Sequence, residues 1–323
     1  MEIECRKRSG ETSASTSVAA KKIKESRELH NTLAACGCRK GERADMQDTK
    51  VLQPKFVLGS EKAFLSRSSF FAIFDGHAGP RASEHCQSLM SETVKEKLSK
   101  FSDFSSLTKG IKQAFTETYK SIDDSFLAQS RQNKPAWKDG TTATSMIILN
   151  NVIYVANIGD SKAVVARKKD DGTFAPICLT VDHNPMAHEE RMRIQKAGAT
   201  VKDGRINGVI EVSRSIGDLP FKSFGIISTP DLKKLTLTAN DLFAIIACDG
   251  LWKSFSNLEA VSFAAEQMEA AKKTEIEQEH NESREIAELR IVAETLAAEA
   301  VRRKCGDNVS VIIVKLELVD LPQ

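Results

Sequence analysis

The 323-residue chain has no apolar stretch approaching the roughly 18 residues that span a bilayer as a helix. Its first residues, MEIECRKRSG, also lack the apolar core of a secretory signal. Both absences lead to the expectation of a protein that stays inside the cell, cytoplasmic or nuclear, with no membrane partner. Seven cysteines, an odd number, include no C-x-x-C pair, and Cys36-Gly37-Cys38 has the wrong spacing for a zinc ribbon. Reduced thiols are therefore expected, with Cys178 and Cys248 as small core residues inside apolar runs. Net charge is only +2, which gives no global pull toward nucleic acid. No G-x-x-x-x-G-K-[ST] loop is present to cradle a nucleotide. A cysteine-dependent phosphatase needs Cys and Arg six apart in one phosphate loop, whereas Glu92 stands six residues after Cys86. What remains, 41% hydrophobic and 28% charged residues, is the balance of a soluble globular protein long enough to bury a full core.

Three apolar runs, Phe70 to Phe74, Val152 to Ile158 and Phe243 to Cys248, each end within two residues in an Asp beside a Gly: Asp75-Gly76, Gly159-Asp160 and Asp249-Gly250. A fourth carboxylate, Asp307, opens a run instead. Runs of this length and composition read as buried strands, whose ends hold carboxylates rigidly at the rim of a packed core. Carboxylate oxygens suit hard divalent cations, and a neighbouring Gly lets backbone or water approach closely. Each dipeptide is also an ordinary turn signal, so recurrence carries the metal reading.

Residues 1–38 are rich in Ser, Thr, Lys and Arg and read as a flexible tail. Within them Lys7-Arg8 and Lys21 to Lys24 have the spacing of a two-part nuclear import signal or of a solvated basic segment. Residues 39–319 read as one domain, with 320–323 as its C-terminal end. Helices are expected over Pro80 to Phe101, Leu107 to Arg131, Asn184 to Ala197, Asn257 to Lys272 and Arg284 to Lys304. Strands are expected over Thr142 to Leu149, Val152 to Asn157, Lys162 to Arg167, Phe174 to Thr180 and Asn308 to Leu318, with hairpin turns at Asn150-Asn151 and Asn207-Gly208. Asn184-Pro185 and Gly198 supply the start and stop of the third helix. Asp123 and Asp124, on the second helix, read as a solvated face. Strands and helices come in blocks without strand-helix alternation, so the fold class is α+β: two packed antiparallel sheets flanked by pairs of helices, a four-layer αββα sandwich.

Taken in order, Gly41-Glu42-Arg43-Ala44-Asp45-Met46-Gln47-Asp48, Phe74-Asp75-Gly76-His77-Ala78-Gly79, Asp139-Gly140-Thr141-Thr142-Ala143-Thr144 and Asn157-Ile158-Gly159-Asp160-Ser161 form one series with three later motifs. These are Ser213-Arg214-Ser215-Ile216-Gly217-Asp218, Ala247-Cys248-Asp249-Gly250-Leu251-Trp252 and Asp307-Asn308. Over about residues 39 to 317 the chain resembles the metal-dependent protein serine/threonine phosphatases of type 2C. The resemblance implies two Mg²⁺ or Mn²⁺ ions at the end of a two-sheet sandwich, acting on phosphorylated protein substrates. It implies Asp75 bridging the ions, the Gly76 carbonyl on one of them, Asp249 and Asp307 on the other, and Asp48 holding metal-bound water. Arg43 would grip the phosphate with its planar guanidinium. His77, two residues from Asp75, is suited to protonate the departing alkoxide, because imidazole titrates near operating pH and metal sites of oxygen ligands do not favour it. His183 and His188 read as structural residues at a helix start. A monomer without a dedicated regulatory subunit, with kinases among its partners, completes the expectation.

Two positions depart from the family. Gln47 replaces a common Glu and keeps an acceptor oxygen for metal-bound water while losing the charge, so weaker binding of one metal is expected. Lys253 replaces an Asp that holds a third metal together with the counterpart of Asp160; pairing of Lys253 with Asp160 in place of a third ion is the expectation. The rival function is a catalytically weak or inactive phosphoprotein-binding regulator of kinase signalling on the same fold. Retention of Arg43, Asp75, His77, Asp249 and Asp307 favours catalysis. Phe221 and Phe224, in a loop beside the site, remain open between substrate contact and core packing.

Overall fold

All seven residues of the run Ser68–Phe74 are buried, and their side chains divide by parity. Phe70, Ala72 and Phe74 join one apolar cluster, Phe71 and Ile73 another. A strand covered on both faces has no polar side to alternate with, which is why its sequence is continuously apolar.

The computed structural model describes residues 29–59 and 62–321. The chain opens with strands β1 (Ala34–Arg39), β2 (Thr49–Gln53) and β3 (Ser68–Phe74), then the two-residue strand β4 (Gly76–His77). Helices α1 (Arg81–Leu98) and α2 (Phe104–Gln132) follow. Next come β5 (Gly140–Thr141), β6 (Ala143–Leu149), β7 (Val152–Ile158), β8 (Lys162–Lys168) and β9 (Phe174–Cys178). An excursion carries α3 (His188–Lys196), β10 (Val201–Lys202), β11 (Arg205–Ile206), β12 (Ile216–Gly217) and a 3-10 turn at Leu219–Phe224. The chain returns through β13 (Asp231–Thr236), β14 (Asp241–Ala247) and the one-turn helix α4 (Asp249–Trp252). Helices α5 (Asn257–Lys273) and α6 (Arg284–Arg302) and strand β15 (Val309–Lys315) close it.

One five-stranded sheet has the order β1-β15-β14-β8-β9 and the other β13-β7-β6-β3-β2, with every neighbouring pair antiparallel. Their facing surfaces, including Phe71, Ile73, Met146, Val155, Val165, Ile246 and Ile312, form the central core. The outer face of the β3 sheet packs on α1 and α2 through Met90, Leu98, Phe115 and Tyr119. The outer face of the β14 sheet packs on α5 and α6 through Val261, Val292 and Leu296. Each such fully buried side chain contributes about 2 kcal/mol of transfer free energy. The result is the expected four-layer αββα sandwich.

Local signals explain the element ends. Asp103 caps α2 by accepting from Ser106 N, and Ser256 with Glu259 forms a capping box on α5. Asn150 takes a left-handed backbone (φ 54°) and closes the β6–β7 hairpin where expected. Asn207 and Gly208 likewise take positive φ and close a bridge between Ile206 and Ile210. The third helix begins later than expected, at His188, because the Asn184 carboxamide accepts from Met186 N and Ala187 N in a turn of its own.

The tail expected over residues 1–38 is too long. Ala34–Arg39 form β1, paired along their whole length with β15. Gly37 makes this possible, since a Cβ there would lie 2.4 Å from the α6 backbone at Ala293. The paired basic segments at Lys7-Arg8 and Lys21 to Lys24 lie outside the described residues.

Candidate metal and catalytic site

Antiparallel pairing brings alternate strand ends to one edge. Thr49 pairs with Phe74 and Ala143 with Ile158, so Asp48 before β2, Asp75 after β3 and Asp160 after β7 share an edge of one sheet. In the other sheet Ala247 pairs with both Val311 and Lys162, bringing Asp249 after β14 and Asp307 before β15 to the corresponding edge. The loop between β1 and β2 is tied down by Asn308, whose Nδ2 donates to the Lys40 and Asp45 carbonyls and whose Oδ1 accepts from Gln47 N. That loop carries Arg43. Arg43, Asp75, Asp160, Asp249, Asp307 and Asn308 line one cleft of about 770 Å³ with His77, Asp218 and Lys253, while Asp48 is buried.

Ligating atoms of Asp75, Asp160 and Asp249 lie within 4.8 Å of one another, as do those of Asp48, Asp75 and Cys248. Asp75 is the shared member. Its backbone is pinned from the end of β5 and the residue that follows it: its carbonyl accepts from Thr142 N (3.0 Å) and Thr141 Oγ1 (3.0 Å), and its N–H donates to Thr142 Oγ1. Both carboxylate oxygens of Asp48 are buried without a hydrogen-bond partner. An orphaned buried carboxylate is costly, and a cation beside it removes that cost.

Burial dominates the electrostatics. It pushes the Asp48 carboxyl up to about 6 and that of Asp160 up to about 7, the latter helped by Asp249. Asp75 is driven well above the usual carboxylate range by burial, then by Asp48, Asp249 and Asp160. Burial also raises Asp249, against the opposing pull of Lys253. Asp307 moves the other way: burial would raise it, but hydrogen bonds from Lys253 and Arg43 hold it below the usual range.

Asp307 stands apart from both clusters. Arg43 Nε lies 2.9 Å from Asp307 Oδ1 and Nη2 donates to Oδ2 at 2.9 Å. Lys253 Nζ reaches Asp307 Oδ2 at 2.9 Å and Asp249 Oδ2 at 2.6 Å. The expected Lys253–Asp160 pair is therefore replaced: position 253 is the C-cap of α4, one turn beyond Asp249, and this turn aims the ammonium back at Asp249. Gln47 also differs from expectation. Its Oε1 accepts from Gly79 N at 3.1 Å, so this acceptor ties the β4–α1 turn.

His77 lines the cleft, with Nε2 2.9 and 2.8 Å from the two carboxylate oxygens of Asp218. Burial pulls its imidazole down, but the facing Asp218 carboxylate outweighs this and the net shift is upward. Asp218 was not singled out from sequence, although it ends a Gly-Asp motif like Gly159-Asp160. Gly140 separates the strands at this point: a Cβ there would lie 2.3 Å from both His77 Nε2 and Asp218 Oδ2.

The remaining residues sort plainly. His183 is 2% exposed, meets Asp231 through Nε2 at 3.1 Å and belongs to neither carboxylate cluster. His188 opens α3. Arg214 grips Glu190 and Asp231 and is structural. Phe221 and Phe224 both pack on the apolar cluster of Ile194, Ile206 and Ile226, and Phe221 also borders the cleft. Asp124 is exposed and pairs with Lys120, but Asp123 contradicts the solvated-face reading: it is buried, accepts from Gly217 N at 2.8 Å and pairs with Lys222 at 2.8 Å. Six thiols, Cys36, Cys38, Cys86, Cys178, Cys248 and Cys305, are free among the described residues.

Comparison with known proteins adds an independent line. The family model described as "Protein phosphatase 2C" matches residues 34–309. The human "Integrin-linked kinase-associated serine/threonine phosphatase 2C" is 42% identical over 281 residues, 86% of this chain and 71% of that protein. The rice (Oryza sativa subsp. japonica) "Probable protein phosphatase 2C 67" is 35% identical over 293 residues, 85% of this chain and 72% of its own. Among solved structures, the serine-threonine phosphatase 2C from Toxoplasma gondii superposes with a TM-score of 0.74 at 21% identity, covering 90% of this chain and 96% of that one.

Proposed function

The chain belongs to the protein phosphatase 2C family of serine/threonine phosphatases, and from that premise we propose that it hydrolyses phosphoserine and phosphothreonine in proteins at the carboxylate rim, with two Mg²⁺ or Mn²⁺ ions as cofactors. The observation that carries the metal part is Asp48, whose two buried oxygens make no hydrogen bond of normal geometry; Ser310 and Cys248 are near enough only to offset part of its burial, and a cation would satisfy it. The donor set agrees, because the rim offers carboxylate oxygens, which suit hard divalent ions. Asp75, the Gly76 carbonyl, Asp249 and Asp307 would hold the ions, with Asp48 beside them. When bound, such ions lower the pKa of water and stabilise charge on the entering and leaving oxygens.

The chain's own residues supply the rest. Arg43, with a side chain 57% exposed, is free to swing from Asp307 and bind two phosphate oxygens. His77, held on Asp218, gives a proton to the departing seryl or threonyl oxygen. The walls formed by Val209, Ile210, Pro220 and Phe221 receive the chain around the phosphoresidue. We further propose a monomer acting on phosphorylated proteins, with a kinase among its partners, following the name of the human relative.

One observation favours a second reading, a weakly active phosphoprotein binder: Arg43 and Lys253 already engage both oxygens of Asp307. Hydrolysis of a phosphothreonine peptide across a Mn²⁺ and Mg²⁺ titration, with Asp249→Asn alongside, separates the two. Metal-dependent phosphate release that collapses in the variant is expected. Metal binding without turnover would establish the binder instead.

A further inference from the structure

We propose that Asp218 is the positioning residue of the reaction: by holding His77 at Nε2 it turns Nδ1 toward the cleft as the nitrogen that protonates the leaving oxygen. The inference rests on the phosphatase reading above. Asp218 is 2% exposed, while the His77 side chain is 32% exposed, so the pair runs from the interior to the cleft wall. Both Asp218 oxygens lie within 2.9 Å of Nε2, which commits that nitrogen and fixes the ring plane.

Asp218 is itself held through both its side chain and its backbone. Ser215 Oγ donates to Asp218 Oδ2 at 2.5 Å, and Asp218 N donates to the Asp139 carbonyl at 2.8 Å. The backbone at Asp218 is left-handed (φ 51°, ψ 44°), a conformation that persists only when its surroundings fix it. Helix α2 does so through Asp123, which takes Gly217 N and the Lys222 ammonium, while Lys222 also donates to the Ser215 carbonyl. Asp123 thus gains a purpose that its burial alone does not explain: it clamps the turn that carries Asp218.

In the step itself water forms the new P–O bond as the bond to the seryl or threonyl oxygen breaks. The electron pair of the broken bond goes to that oxygen, which takes the Nδ1 proton. The water's surplus proton leaves to solvent, and His77 regains its proton from solvent. Throughout, Nε2–H stays on Asp218.

The test uses the full chain with Mn²⁺ and two substrates, a phosphothreonine peptide and p-nitrophenyl phosphate, whose leaving group departs without a proton. Asp218→Asn should lower kcat on the peptide about 10²-fold, with KM little changed and a loss of less than about threefold on p-nitrophenyl phosphate. In a His77→Ala background Asp218→Asn should cost nothing further, because it acts through His77. Gly140→Ala, which forces the pair apart without removing either group, should reproduce the same substrate split. Equal losses on both substrates, a further loss in the His77→Ala background, or no loss would overturn the inference. A wild-type chain inactive on both substrates would instead sink the phosphatase reading itself.

Discussion

Replacing Asp48 with Asn should stabilise the metal-free protein at neutral pH, although it removes a residue of the proposed metal site. The Asp48 carboxyl is lifted from 3.8 to about 6, chiefly by burial. A carboxyl with a raised folded pKa binds its proton more tightly when folded, so the stability it contributes is complete below about pH 4 and is lost as pH rises through about 6. Ionising it between about pH 4.5 and 7.5 therefore costs about 2 kcal/mol. Asn carries no such charge. Thermal unfolding in EDTA at both pH values, followed by circular dichroism, reads the effect. The variant's advantage over wild type should grow by about 2 kcal/mol across the interval, or about 3 °C for a domain of this size. Comparing two pH values cancels any cost of burying the amide, which is the same at both. With saturating Mn²⁺ the order should reverse at pH 7.5, because wild type gains the larger linkage energy. A gap that stays constant with pH, or that moves against the variant as pH rises, would refute the view that Asp48 is a strained, uncompensated charge.

Lys253→Met frees Asp249 and Asp307 from the ammonium that bridges them, so Mn²⁺ should bind about tenfold more tightly by calorimetry, a change of about 1.4 kcal/mol; unchanged or weaker binding would show that the ammonium does not compete with metal. Wild-type Mn²⁺ affinity should fall about tenfold from pH 7.5 to pH 6, since Asp48 and Asp160, raised to about 6 and about 7, must release protons to the incoming ion; a flat profile would exclude them from the site. Glu190→Gln leaves Arg193, Arg214 and Ser213 without their shared carboxylate and should cost about 3 kcal/mol. Hydrogen exchange should then rise first around residues 188–231, and a uniform rise across the chain would contradict a local clamp.

What could be read directly from the chain were the strands covered on both faces and the carboxylates at their ends. Continuous apolar sequence leaves no ambiguity of face, and an Asp at its end has nowhere to go but the rim. The first strand was invisible for the opposite reason. Ala34, Ala35, Cys36, Gly37 and Cys38 are small residues of weak strand preference, and only β15 and the close approach of α6 make them a strand. Asp123 failed because helical period gives a face and not its cover; Gly217 and Lys222 arrive from 94 and 99 positions away. The partner of Lys253 failed similarly. Asp160 looked available by analogy, but α4 is a single turn whose geometry favours its own first residue, Asp249.

These same contacts divide the site into a fixed half and an exchangeable half. Asp75 is pinned through backbone hydrogen bonds that no ligand displaces, and Asp48 is buried with its oxygens unpaired. On the opposite sheet, Asp249 and Asp307 are held by side-chain ion pairs to Arg43 and Lys253, whose side chains are 57% and 43% exposed. Exposed pairs of this kind are worth little individually and exchange readily for a stronger cation. Metal should therefore settle first on the Asp48–Asp75 side, and filling of the Asp249–Asp307 side should require the cations there to move. Release of Arg43 by that step would free its guanidinium for phosphate only after the second ion is bound. A calorimetric Mn²⁺ titration should resolve two events, and Lys253→Met should strengthen the weaker one alone; a single event, or equal strengthening of both, would show that the halves are not distinct.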